Sequence, residues 1–112
     1  MAIDYTGHCA FDNAEAQHRV DYLRRTRPDW YIGMHHLTDA KDLGPFGAEI
    51  ARGFGIEARC NFSLHLLNKD WLEQSSEAVE FLYEVFGTEK LVVTYGMDSV
   101  RAPRRQYPAM AI

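Results

Sequence analysis

Nowhere in this chain do apolar residues run for the roughly 20 positions that a membrane-crossing helix requires. Asp4 stands where a secretion signal would place a basic flank and then an apolar stretch, so a cytoplasmic protein without a membrane partner is expected. Cysteine is scarce. Cys9 and Cys60 are the only two, too few for the disulfide framework of a small secreted domain, and reduced thiols are expected. Positive charge is in deficit, with 12 Lys and Arg against 16 Asp and Glu, a net charge of -4. That argues against sequence-independent nucleic-acid binding, which rests on clustered cations.

Ligand-binding signatures are missing as well. His8, Cys9, His35, His36, Cys60 and His65 show none of the paired spacings of a zinc site, and no metal or cofactor is expected. His35 and His36 are adjacent on an expected strand and therefore point to opposite faces. Cys60 and His65 are separated in the same way. The glycines of Gly44-Pro45-Phe46-Gly47 and Gly53-Phe54-Gly55 have neither dinucleotide nor P-loop spacing, and Pro45 lacks the N–H that a phosphate would use. No serine sits in a nucleophile elbow. A Cys–His pair between Cys9 and a histidine of the second strand stays open, if those strands are neighbours.

What is present is an ordinary globular composition, 46% hydrophobic and 25% charged over 112 residues, enough for one domain with its own core. The clearest pattern lies in the second half. Ile56, Ala58, Cys60, Phe62, Leu64 and Leu66 alternate with Glu57, Arg59, Asn61, Ser63 and His65, the period of a strand with one dry and one wet face. Asp70 and Glu73 have capping-box spacing at the head of a helix. Along it Trp71, Ser75, Ala78, Val79, Leu82, Val85 and Phe86 share a face. Gly87 stops the helix, and Leu91 to Tyr95 reads as a buried, central strand.

The first half is less regular. Ile3 to Tyr5 starts a short strand, and Asp12 with Glu15 caps a helix carrying Ala16, Val20 and Leu23 inward. Arg24, Arg25 and Arg27 suit the negative end of that helix, which Pro28 closes. Trp30 to His36 reads as a strand from its aromatic and branched residues. Pro45 opens another helix, with Phe46, Ile50 and Phe54 as its apolar stripe and Gly55 as its left-handed cap. The expected fold is α/β (α+β), a single two-layer sandwich over residues 1–100. It has a mixed sheet of about four strands with helices on one face, in the order β-α-β-α-β-α-β. Residues 101–112 form a tail in which Arg101, Arg104 and Arg105 carry all the charge and Pro103 and Pro108 prevent regular structure.

Three surfaces could carry function. Glu73, Glu77, Glu80 and Glu84 form a single acidic line on the last helix, although like charges four apart cost about 0.2–0.5 kcal/mol per pair. A solvated face, a basic protein partner or the chain's own arginine tail, in cis or from a second copy, would each account for it. The wet strand face, with Arg59 and His65, suits solvent or a two-fold dimer. The strand ends place His36, Thr38 and Asp39, then Asn68, Lys69 and Asp70, then Met97, Asp98 and Arg101 on one rim if the strands are parallel. The leading expectation is a non-catalytic interaction protein of the adaptor, inhibitor or regulatory kind. It would act as a homodimer or with a basic partner, through the acidic line or the open sheet face. The alternative is a small enzyme or ligand-binding domain with His36 in a rim site.

Overall fold

The structure, a computed structural model, describes residues 3–96 and 99–112. Along the chain come β1 (Ile3–Cys9), α1 (Asn13–Thr26), a π-helical turn (Asp29–Met34), β2 (His35–Leu37), β3 (Lys41–Asp42) and α2 (Pro45–Gly53). They are followed by β4 (Cys60–Leu66), a 3-10 turn (Lys69–Trp71), α3 (Leu72–Phe86), β5 (Leu91–Tyr95) and β6 (Ser99–Arg101). The fold is the expected α+β sandwich, but its sheet has six strands rather than about four, ordered β2-β4-β1-β5-β6 with β3 also on β4. Every described pairing is antiparallel, so the sheet is not mixed.

The middle of the sheet is β1, not β5. It pairs with β4 from Ile3 opposite Leu66 to Cys9 opposite Cys60, and with β5 from Tyr5 opposite Tyr95 to Cys9 opposite Leu91. Only its first three residues look strand-like in sequence. Gly7 explains the remainder: the Phe62 ring lies over it, and a Cβ there would sit 2.4 Å from the ring. Glycine at this position is a packing requirement.

One sheet face is closed by α1 and α3. Tyr5, Cys9, Phe62, Leu64, Leu91 and Val93 meet Val20, Leu23, Val79, Leu82 and Phe86 in a single core. The helix over the first half begins as expected, with the Asp12 carboxylate accepting from the Glu15 N–H at 2.9 Å. The start of α3 differs. Asn68, not Asp70, supplies the cap, accepting from the Asp70 N–H at 2.9 Å to open the 3-10 turn that leads into the helix.

Trp30 to Met34 is helical instead of extended. Tyr31 is buried and donates its hydroxyl to the Ala78 carbonyl at 2.6 Å, while Trp30 lies between the Arg27 guanidinium and the Phe81 ring. These tertiary contacts outweigh the strand propensity of the aromatic residues. The chain becomes extended at His35, whose ring is buried and whose neighbour His36 points the other way, exposed.

Not all helices lie on one face. Ala51 of α2 packs with Ile56, Ala58, Leu43, Ala10 and Val92 in a second small core. Val92 lies between the core residues Leu91 and Val93, so its side chain is on the opposite face of the sheet. The second face is thus covered at its Cys9–Cys60 end and polar at its Asp4–His65 end.

Candidate interaction surfaces

The acidic line is built into the structure rather than left in solvent. Glu80 is only 4% exposed. Its carboxylate accepts the Arg104 backbone N–H at 3.1 Å and the Tyr107 hydroxyl at 2.6 Å. Glu77 forms an ion pair with the Arg104 guanidinium at 2.6 Å, which holds its carboxyl below the usual carboxylate range. The Glu80 carboxylate, in turn, pushes the Tyr107 phenol up. Arg101 donates to the Ser76 hydroxyl at 2.8 Å and offers its carbonyl to Tyr83. Of the four glutamates, Glu73 is exposed and Glu84 is half-buried.

The tail then runs on along the end of α3. Thr88 donates its N–H to Tyr107 at 3.0 Å, and Met110 donates to the Val85 carbonyl at 3.3 Å. Gly87 has φ +87, and a Cβ there would lie 2.7 Å from the Ala109 nitrogen, so glycine lets the tail cross. Arg19 is buried beneath it and donates to the carbonyls of Val85 and Met110. A pocket of about 350 Å³ opens between residues 87–90 and 106–109. It contains none of the rim residues singled out from sequence.

The wet face of β4 continues across the sheet. Antiparallel partners share a face, so Asn61, Ser63 and His65 lie with Asp4, Thr6 and His8 of β1, His36 of β2 and Lys41 of β3. His36 and His65 are brought together, their rings stacked at 6.1 Å. The His65 Nδ1–H donates to the Asp4 carboxylate at 2.6 Å. Glu57 and Arg59 precede the strand. Glu57 pairs with Arg52 at 3.3 Å, and the Arg59 N–H bonds the Cys9 carbonyl at 2.7 Å.

At the covered end of this face stands α2. Its Phe46–Ile50–Phe54 stripe does not enter the core as its spacing suggests. Phe46 is 76% exposed and Ile50 43%, because Ala51, one position further round, is the residue that faces the sheet. Phe54 is half-buried, with its ring 5.6 Å from that of His8. His8 is buried, its Nε2 is 3.2 Å from the Thr94 hydroxyl, and its Nδ1 has no partner among the described residues. Burial pushes the His8 imidazole below its ordinary value. Ile32, Leu67 and Leu72 are further exposed apolar side chains.

The strand-end rim does not assemble. In an antiparallel sheet neighbouring strands run in opposite directions, so the chain leaves β2 away from the edge where β4 and β5 end. Met97 and Asp98 lie outside the described residues, and Arg101 is part of β6. Among the described residues Cys9 has no histidine partner. It faces Cys60 in the closed core, where the Phe11 N–H bonds its sulfur and the Cys60 thiol bonds the Phe11 carbonyl. The hydrogen bond with the Cys60 thiol, and then burial, push the Cys9 thiol up, away from a reactive thiolate. His35, which sequence left as one of a pair, is structural. Its Nδ1–H donates to the Trp30 carbonyl at 2.7 Å, and its Nε2 accepts from Ser75 at 2.8 Å. Burial pushes this imidazole down as well. Among the described residues no three His, Cys, Asp or Glu side chains are placed to hold a metal ion. No described helix is long and apolar enough to cross a membrane.

A family model described as CDI System Immunity Component matches residues 1–99. Among solved structures, the chain resembles one from the "CdiA-CT/CdiI toxin and immunity complex from Burkholderia pseudomallei". The TM-score is 0.83 at 18% identity, covering 89% of this chain and 97% of that one. At that identity the likeness is one of fold. No curated protein matches the chain.

Proposed function

The chain belongs to the family of CDI system immunity components, and on that premise we propose that it is a non-catalytic inhibitor that binds a CdiA-CT type toxin. The observation that carries this reading is the family match, which runs from before β1 to the start of β6. The fold it shares with a chain of a toxin and immunity complex supports it. So does the state of the buried groups. His8 and His35, whose basicity burial lowers, lie inside the fold, and His35 uses both ring nitrogens on the protein itself.

The partner is then a toxin, where the sequence pointed to a second copy or a basic protein. Cys9 and Cys60 lie opposite each other as free thiols, which supports a reducing, cytoplasmic setting. The test is titration calorimetry of the purified chain against the CdiA-CT toxin of the same CDI system. A one-to-one complex that abolishes toxin activity is expected. A toxin that stays active and unbound at micromolar concentrations of the chain overturns the reading.

A further inference from the structure

Proteins of this size rarely leave neighbouring large apolar side chains in water without a use. Phe46 and Ile50 are one helical turn apart on α2, exposed and side by side. Phe54 extends the same flank down to the His8 ring, where α2 meets the open sheet face. The helix flank is a wall, and the polar sheet face beside it is a floor.

Charge separates this surface from the helical one. On the outer side of α1 and α3, Asp21 and Asp39 pair with Arg24, and Glu77 with Arg104. On the floor, the Asp4 carboxylate is taken up by His65. His36 stacks on His65, and Lys41, exposed on β3, makes no ion pair among the described residues. Among the described residues the floor therefore offers a cation without an ion pair, beside the stacked rings of His36 and His65. A complementary partner brings carboxylates to the floor and an apolar side chain to the wall.

We infer that this wall and floor, Phe46, Ile50 and Phe54 beside His36, Lys41 and His65, form the toxin-docking surface. They would receive a toxin segment that carries an apolar anchor flanked by acidic side chains. The inference rests on the reading of the chain as a toxin-binding immunity component. Aromatic anchors at the centre of an interface carry most of its affinity, and flanking charges chiefly set the association rate.

The experiment measures binding of the cognate CdiA-CT toxin by surface plasmon resonance at two salt concentrations. It compares the wild-type chain, the double variant Phe46→Ser with Ile50→Ser, Lys41→Glu, and the control Arg25→Glu on the outer face of α1. All the altered residues are exposed, and unchanged thermal melts confirm that each variant folds. The double variant is expected to bind at least 100-fold more weakly. Lys41→Glu should slow association about tenfold at low salt and less at high salt, and the control should stay within threefold. A wild-type chain that binds while the wall and floor variants bind within threefold of it overturns this inference alone. So does a control that loses affinity as much as they do. A wild-type chain that does not bind overturns the toxin reading and this inference together. Light scattering on the chain alone covers the other occupant. A wild-type dimer that the double variant converts to a monomer assigns the wall to a second copy and overturns the toxin as occupant.

Discussion

The two faces of one sheet solve different problems with the same strands. Toward α1 and α3, apolar side chains fill the space and most polar groups are internally matched: His35 by Trp30 and Ser75, Glu80 by Arg104 and Tyr107, Tyr31 by Ala78; the exception is the Arg19 Nε, which has only the Glu15 carboxylate at 3.4 Å. On the other face, among the described residues, His8 is buried with one nitrogen unmatched, Lys41 makes no ion pair, and Phe46 is exposed. Buried groups that find partners specify a fold, whereas groups left unmatched at a surface suit a partner. Substitutions should therefore divide by face. Those on the closed face cost stability, and those on the open face cost binding.

The largest stability effect is expected at Gly7. Alanine there places a carbon 2.4 Å from the Phe62 ring, which is itself buried against Phe86. Relief requires the ring or the central strand to move, and overpacking of this kind costs about 3 kcal/mol. Urea denaturation should show a lowered midpoint with an unchanged slope. A loss below about 0.5 kcal/mol would mean that the closed face is looser than its geometry indicates.

Next comes the clamp between the tail and α3. Glu80→Ala removes the acceptor for the Arg104 N–H and the Tyr107 hydroxyl, leaving both to find other partners. Hydrogen bonds to a charged group contribute about 1.5–3 kcal/mol, so a loss of roughly 2 kcal/mol is expected. Tyr107→Phe should lose about half of that. Protease digestion should then release residues 102–112 faster in both variants than in wild type. Equal tail protection in all three would show that Gly87, Thr88 and Arg19 hold the tail without Glu80.

Much of this division was legible in the sequence, and the failures follow it. The alternation from Cys60 to Leu66, the Asp12 cap and the apolar face of α3 are local patterns, and the structure repeats them. Glu80 is different. Its spacing puts it with Glu73, Glu77 and Glu84, and nothing periodic tells that Tyr107, 27 positions away, covers it. Trp30 to Met34 has strand-like composition but is recruited by Phe81 and Ala78 from elsewhere in the chain. The α2 stripe misleads in the opposite sense. Phe46 and Ile50 have core chemistry, yet a small residue, Ala51, makes the contact with the sheet. In each case helical or strand periodicity shows which residues share a side. It does not show what that side meets. The expected parallel rim failed for a related reason, since strand direction is set by pairings that composition does not encode.

The smallest effect, and the one that separates the faces most finely, concerns pH. Burial holds both His8 and His35 neutral below the ordinary imidazole value of about 6.5. The unfolded chain takes up protons there that the folded chain does not. Stability is therefore at its full value above about pH 6.5, falls as pH drops from there toward the lowered folded values and levels off below them, with a slope of at most about 1.4 kcal/mol per pH unit for each histidine. The two rings differ in what else they do. His35 is bonded through both nitrogens, so His35→Phe should lose about 2 kcal/mol at pH 7.5 as the Trp30 carbonyl and the Ser75 hydroxyl lose their partner. His8 makes one bond at 3.2 Å and buries an unmatched nitrogen against Phe54. His8→Phe should change stability by less than about 1 kcal/mol at pH 7.5, because a lost bond to Thr94 is offset by the removed unmatched nitrogen. At pH 5.5 it should be more stable than wild type, since a protonation cost has gone. Urea midpoints for the three proteins at both pH values decide it. If His8→Phe is as damaging as His35→Phe at pH 7.5, the open face is matched as closely as the closed one, and the contrast between them fails.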